Sequence, residues 1–166
     1  ARLACRCSGD STVAYGLAFA RAGEAARDWS PPARAVWLRA LMAELERIAN
    51  HLGDVGAICN DGGFAIMLVH CSVLREQVLR EAVACFGHRL MMDRIMPGGV
   101  AADIDPAGAA RIAGLMADIR RRLQRLVELY DTTASLQDRT DRTGFLRPAL
   151  AAQFAAGGFV GRASDR

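Results

Sequence analysis

The sequence predicts an all-α protein: an antiparallel bundle of long helices with short irregular connections. Three observations carry this expectation. Apolar residues make up 52% of the chain and aromatic residues only 6%, with alanine abundant, so the core must be built from aliphatic side chains. Long stretches repeat their apolar residues at the 3.6-residue helical period. Helix start and stop signals bracket those stretches. The chain has 166 residues, enough for a sizeable core, and residues 1–166 are read as a single helical domain.

A first helix is expected from Asp10, as N-cap, to about Gly23. The second starts at Ser30, with Pro31 where its missing N–H costs nothing. Its stripe is Leu38, Leu41, Met42, Leu45, Ile48, Leu52, Val55 and Cys59, about six turns of regular spacing. It ends at "NDGG" (60–63), where glycines let the chain reverse. The third runs from Phe64 to Phe86, with Gly87 as its stop, and is apolar on most sides, so a buried central helix is expected. Residues 89–104 read as an ordered connection with a Pro-Gly-Gly turn and short extended pieces. The fourth helix starts at Asp105-Pro106 and reaches about residue 136. Its stripe is Ile112, Leu115, Met116, Ile119, Leu123, Val127 and Tyr130, and its other face is charged. A polar loop (138–144), a short helix from Pro148 to the glycines at 157–158, and an irregular tail complete the chain.

A net charge of +3, carried by 21 arginines and no lysine, is too mild to demand nucleic acid. Five cysteines, at 5, 7, 59, 71 and 85, argue against a secreted disulfide scaffold and for a reducing, cytoplasmic setting. The longest apolar run, residues 62–74, is too short to span a bilayer and contains His70. The chain does not begin with methionine and shows no signal peptide. It reads as a soluble piece of something longer.

Three groups of residues could carry chemistry. Cys5 and Cys7 form C-x-C, which lacks the tight turn that lets C-x-x-C cup a metal ion; a metal position and two free thiols are both open readings. Cys85 and His88 resemble half of a zinc site, but no second pair lies nearby at finger spacing, so structural roles are expected. On the second helix Glu44, Arg47, His51 and Asp54 fall on one line. Carboxylate, guanidinium and imidazole in series could relay a proton; a solvated face with local ion pairs is the competing reading.

Four segments in order then resemble one superfamily. "RLACRCSGDSTVAYGLAFA" is similar to an arginine–apolar–Cys-x-x-Cys stretch followed by an "AY-x-LA" helix. "PPARAVWLRALMAELERIANHL" (31–52) resembles the superfamily's most recognisable helix, including Arg34, Arg39, Glu44, Arg47 and His51. "MPGGVAADI" (96–104) resembles its "PGGV-x-x-D" loop, and "GGFVGRASDR" (157–166) its "RASG" segment. The superfamily comprises the large subunits of nickel–iron hydrogenases, notably the energy-converting and formate hydrogenlyase types, and the 49 kDa quinone-site subunit of respiratory complex I, the NADH-quinone oxidoreductase.

The resemblance implies the following. The first family cysteine falls on Ala4 and the second on Cys7, which leaves Cys7 as a single remnant ligand position without nickel. Cys5 takes the place of a glycine in hydrogenases and of a quinone-contacting tyrosine in complex I, and Ser11 that of a hydrogenase histidine. The second cysteine pair would lie beyond residue 166, and a hairpin with a quinone-site histidine before residue 1. Cys5 and Asp10 would line the former catalytic cleft beside Cys7, and Glu44, Arg47 and His51 would join it to the interior. The chain would be the helical interior of a diverged redox subunit, itself holding no cofactor. In its parent complex, electrons would pass from an iron–sulfur cluster on a small partner subunit to quinone. The complex would lie on the cytoplasmic side of the inner membrane, peripheral through its other subunits. Some apolar surface should remain uncovered for those partners. A diverged hydrogenase and a non-catalytic helical scaffold are the alternatives.

Overall fold

The computed structural model describes residues 2–165. The expected helical class holds. A short 3₁₀ turn (Ala4–Arg6) precedes α1 (Thr12–Ala25), α2 (Ala33–Asp61) and α3 (Ala65–Phe86). The two-residue strands β1 (Ile95–Met96) and β2 (Gly99–Val100) follow, then α4 (Pro106–Thr132), α5 (Ala134–Thr140), α6 (Pro148–Gln153) and α7 (Gly158–Ala163). The chain divides into two compact parts, one ending at Leu129 and one beginning at Tyr130.

The first part is organised by α2 and α3. Their stripes face each other: Leu38, Met42, Leu45, Leu52 and Cys59 from α2, with Met67, Cys71, Leu74, Val78 and Phe86 from α3, are all buried. Gly56 sets how close the two helices come. A Cβ there would stand 3.0 Å from the Cβ of Cys71 and 3.1 Å from the Cα of Leu68, while Gly53 sits beside Arg75. Rising positions on α2 thus meet falling positions on α3, the register of an antiparallel hairpin. α3 ends at Gly87, in the left-handed conformation. Pro97 and Gly98 form the corner between β1 and β2, which pair Ile95 with Val100. Asp105 opens α4 as expected, its Oδ1 accepting the N–H of Gly108 at 2.6 Å.

Several expected boundaries move. α2 begins at Ala33, with Pro32 in the cap position at ψ 147°, so Ser30 and Pro31 lie outside it. Pro31 precedes a second proline, and that excludes it from helical conformation. α3 is not buried all round: Ile66, Val69, Val73 and Val83 are exposed, because its main packing partner, α2, covers only one stripe. The fourth helix stops at Thr132 rather than near 136. Thr133 leaves the helical region, and α5 then extends into the stretch read as loop. The tail read as irregular contains α7, whose first turn opens on Gly157, the acceptor for the Gly161 N–H at 3.1 Å.

In the second part, the hydroxyls of Tyr130 and Thr140 meet at 3.1 Å. The Gln137 side-chain amide donates to the Tyr130 carbonyl at 3.0 Å. Leu136, Ala151 and Gly161 are buried there.

One charged group lies wholly inside the first part. Arg39 is 4% exposed. Its guanidinium donates to both carboxylate oxygens of Glu24, at 2.6 and 3.1 Å, to the carbonyl of Met96 at 2.7 Å, and to that of Gly99 at 2.9 and 3.1 Å. Glu24 in turn accepts the N–H of Gly98 at 2.7 Å. The last turn of α1, the middle of α2's first half and the hairpin are joined at one point. The bonds from Arg39 hold the Glu24 carboxyl below its ordinary range, against the opposing effect of burial. A carboxylate depressed on folding contributes stability that is present above its unfolded pKa and lost as pH falls through the folded value. We expect Arg39→Met, which strands the buried carboxylate, to cost about 3–5 kcal/mol in urea unfolding at neutral pH. Glu24→Gln should be destabilised at neutral pH and lose less stability than the parent between neutral and acidic pH.

Candidate functional site

The candidate site is a groove of about 380 Å³ between α1 and α2. Its α2 wall carries Arg47, Asn50, His51 and Asp54, and its α1 wall carries Ala14, Ala18 and Arg21, with Ser11 at the mouth. The helical period brings Arg47, His51 and Asp54 onto one line. Glu44 is paired with Arg47 through Oε1 and Nη1, one turn away, and both side chains are about half exposed. The relay residues are therefore together, but on a solvated wall. The buried positions of α2 face α3 instead.

Glu46 organises the groove and was not among the expected site residues. Its carboxylate accepts the N–H groups of Val13 at 2.5 Å and Ala14 at 2.9 Å. These are free donors at the first turn of α1. Neither Asp10 nor Ser11 caps this helix. Ser11 holds the cap position but its hydroxyl donates to the Asp10 carboxylate at 3.4 Å rather than capping the helix, and the Asp10 carboxylate also accepts the hydroxyl of Ser8 at 2.5 Å, which lowers its pKa. Burial pushes the Glu46 carboxyl up, and the two backbone donors pull it back. Asn50 adds a second tie, its amide donating to the Asp10 carbonyl at 2.7 Å. The uncapped start of α1 was the available signal: its donors needed an acceptor from elsewhere in the fold.

The cysteines separate. Cys5 is buried, with its Sγ where a Cβ on Gly16 would come within 2.9 Å. It packs under α1, away from the residues that line the α1/α2 groove. Cys7 is exposed, and its Sγ–H donates to the Leu3 carbonyl at 3.5 Å. Asp10 is exposed at the mouth. Arg6, between the cysteines, clamps Asp93 with two bonds of 2.9 and 2.7 Å and holds that carboxyl below its ordinary range. Cys85 bonds Glu81 at 3.1 Å; burial, then that bond, pushes its pKa up to about 11. His88 accepts the N–H groups of Leu90 and Met92 at its Nδ1, at 3.1 and 3.2 Å. Cys85 and His88 are thus engaged in local structure.

His51 also borders a second groove, of about 590 Å³, between α2 and α4. Ile48, Leu52, Val55, Met116, Ile119, Leu123 and Val127 make it apolar.

Glu46→Ala should lower stability by about 1–2 kcal/mol, the range for losing a helix cap, measured by thermal unfolding. A thiol-reactive maleimide at neutral pH should label Cys7 first, with buried Cys5, Cys59 and Cys71 and the high-pKa Cys85 reacting only slowly, as read by mass spectrometry of the native chain.

Residues 61–166 match the family described as "Respiratory-chain NADH dehydrogenase, 49 Kd subunit". The carbon monoxide-induced hydrogenase of Rhodospirillum rubrum is 31% identical over 134 residues, covering 80% of this chain and 37% of that protein. Formate hydrogenlyase subunit 5 of Escherichia coli is 29% identical over 159 residues, covering 96% and 28%. An NADH-quinone oxidoreductase subunit of Roseiflexus sp. is 32% identical over 155 residues, covering 93% and 41%. The chain thus spans well under half the length of these relatives. With the match running over most of the chain, and with the four expected segments in order, this protein belongs to the family of the 49 kDa subunit of respiratory-chain NADH dehydrogenase.

Proposed function

We propose that this chain is the helical interior of a subunit of a membrane-associated redox complex, and that its α1/α2 groove handles protons beside a quinone site. In this reading a partner subunit holds the iron–sulfur cluster. Two electrons pass from it to the quinone and two protons are taken up, giving the quinol. His51 and Asp54 hold and pass those protons, Arg47 stands beside them as a fixed cation, and Glu46 is the positioning residue that fixes the groove mouth.

The observation that carries the reading is the clustering of Arg47, His51 and Asp54 in one groove whose mouth is built from the segment resembling the family's metal-binding stretch. The first pair weakens a nickel reading: Ala4 offers no ligand atom and the Cys5 thiol is buried, so only Cys7 of that pair is left as a thiolate donor. Exposed Ile58, Ile66, Val69 and Val73 supply uncovered apolar surface for partner subunits. No helix among the described residues is long and apolar enough to cross a membrane.

The test is to isolate the protein with its associated polypeptides from membranes of its source and measure reduction of a short-chain quinone by NADH or hydrogen. His51→Ala should lower the rate by roughly tenfold or more, within the usual range for proton-transfer groups, and Arg47→Ala should lower it as well by removing the fixed cation beside His51 and Asp54. Absence of any redox activity, or variants that keep the parent rate, would leave the scaffold reading.

A further inference from the structure

Glu46 lines two spaces at once. On one side is the α1/α2 groove; on the other, against α3, is a cavity of about 10 Å³, the size of a single water. Its two oxygens are not equivalent. Oε2 accepts the Val13 N–H at 2.5 Å in a partly buried bond, whereas Oε1 accepts the Ala14 N–H at 2.9 Å where the structure is exposed. Asp10, Arg75 and Arg89 share the cavity with Glu46, and Arg21, Arg47, His51 and Asp54 share the groove. No arginine pairs with the Glu46 carboxylate among the described residues: Arg47 is engaged by Glu44 and Arg89 by Glu76, and the charge of Arg75 acts on Asp10.

A partly buried carboxylate met only by two N–H groups gives up its charge readily. Burial pushes the Glu46 carboxyl up, the bonds from Val13 and Ala14 pull it back, and the charge of Asp10 adds to the rise. Asp10 is held below its ordinary range, chiefly by the hydroxyl of Ser8, so it is already an anion when Glu46 titrates. Two neighbouring carboxyls pushed apart in this way divide into a fixed charge and a proton carrier.

We propose that Glu46 is a proton-carrying residue of the groove, and that each proton it takes up weakens the bond from Ala14 and loosens the first turn of α1. This extends the proton-handling reading of the groove and rests on it. The proton enters from groove water at the exposed Oε1. That oxygen becomes a hydroxyl, which donates and has less capacity to accept. The Ala14 N–H turns to water while Oε2 keeps the Val13 bond. α1 stays in place, because Asn50 still holds the Asp10 carbonyl at 2.7 Å and Arg39 still holds Glu24. When the proton leaves through the groove toward His51 and Asp54, farther along the same wall, the Ala14 bond forms again.

The test is a pH titration of the full, isotopically labelled chain by solution NMR. The Glu46 side-chain carboxyl carbon should titrate with a midpoint above the ordinary glutamate range. The Ala14 amide proton should move upfield through that same midpoint on the acid side, and the Val13 amide should move less. In Glu46→Gln, a permanently neutral stand-in, the Ala14 amide should rest at its acid-side position at every pH. A Glu46 midpoint at or below the ordinary range would overturn the proposal. So would an Ala14 amide that does not follow the Glu46 carboxyl, or one that titrates in Glu46→Gln as it does in the parent. The parent titration decides the matter even if the variant does not fold. Neither measurement involves quinone or electrons, so a failure here leaves the redox assay standing, and absence of redox activity leaves this titration readable.

Discussion

Everything in the first part of the chain depends on one guanidinium sealed away from water. Arg39 has its charge met by Glu24 and its remaining donors taken by the carbonyls of Met96 and Gly99. Burying an ion pair carries a desolvation penalty that the mutual attraction offsets only when the other donors and acceptors are also satisfied. Here the carbonyls of the hairpin and the N–H of Gly98 do so. The penalty itself enforces the arrangement, since any displacement of α1 or the hairpin would leave a charge buried without its partners. The hairpin has only two residues in each strand and has little stability of its own. It keeps its place because Arg39 reaches it from a long, well-packed helix.

α1 is fastened to α2 at both ends by the same chemistry used in opposite directions. At its C-terminal end, α1 supplies the carboxylate and α2 the cation. At its N-terminal end, α2 supplies the carboxylate of Glu46 and α1 its free N–H groups, which carry partial positive charge. Between the two clamps Ala14, Leu17, Ala18 and Arg21 of α1 face α2 across the polar groove. A helix pinned at its ends and not packed tightly along its length leaves an open groove with fixed walls. That geometry suits a site for small polar species, because it admits water and ligands without requiring the helices to move.

The apolar stripes of α2 and α4, the stop at Gly87 and the hairpin corner were legible in the sequence, because each is a local pattern of spacing or backbone chemistry. The polar line of Arg47, His51 and Asp54 was legible for the same reason. The clamps were not. Glu24 and Glu46 look like ordinary helix carboxylates, and only the path of the chain brings Gly98 to one and Val13 to the other, 74 and 33 residues away. Nor was the separation of the cysteines legible: one short 3₁₀ turn sends Cys5 inward and leaves Cys7, at its end, outside. The start of α2 shifted because its two prolines act in sequence: the second restricts the first.

The position of His51 follows from how α2 divides its surface. Successive residues turn about 100° around a helix, so Arg47 and Asp54 fall on the flank toward α1, while Ile48, Leu52 and Val55 fall on the flank toward α4. His51 lies on the ridge between them and borders both grooves. An imidazole tolerates this position better than its neighbours would. Its ring offers apolar faces to one side and a polar nitrogen to the other, whereas a carboxylate there would have to lie against the aliphatic wall, where desolvation opposes its charge. The stiffness of α2, held by α3 along its buried face and by Arg39 near its start, keeps that ridge in one position while the surfaces on either side remain free to be occupied.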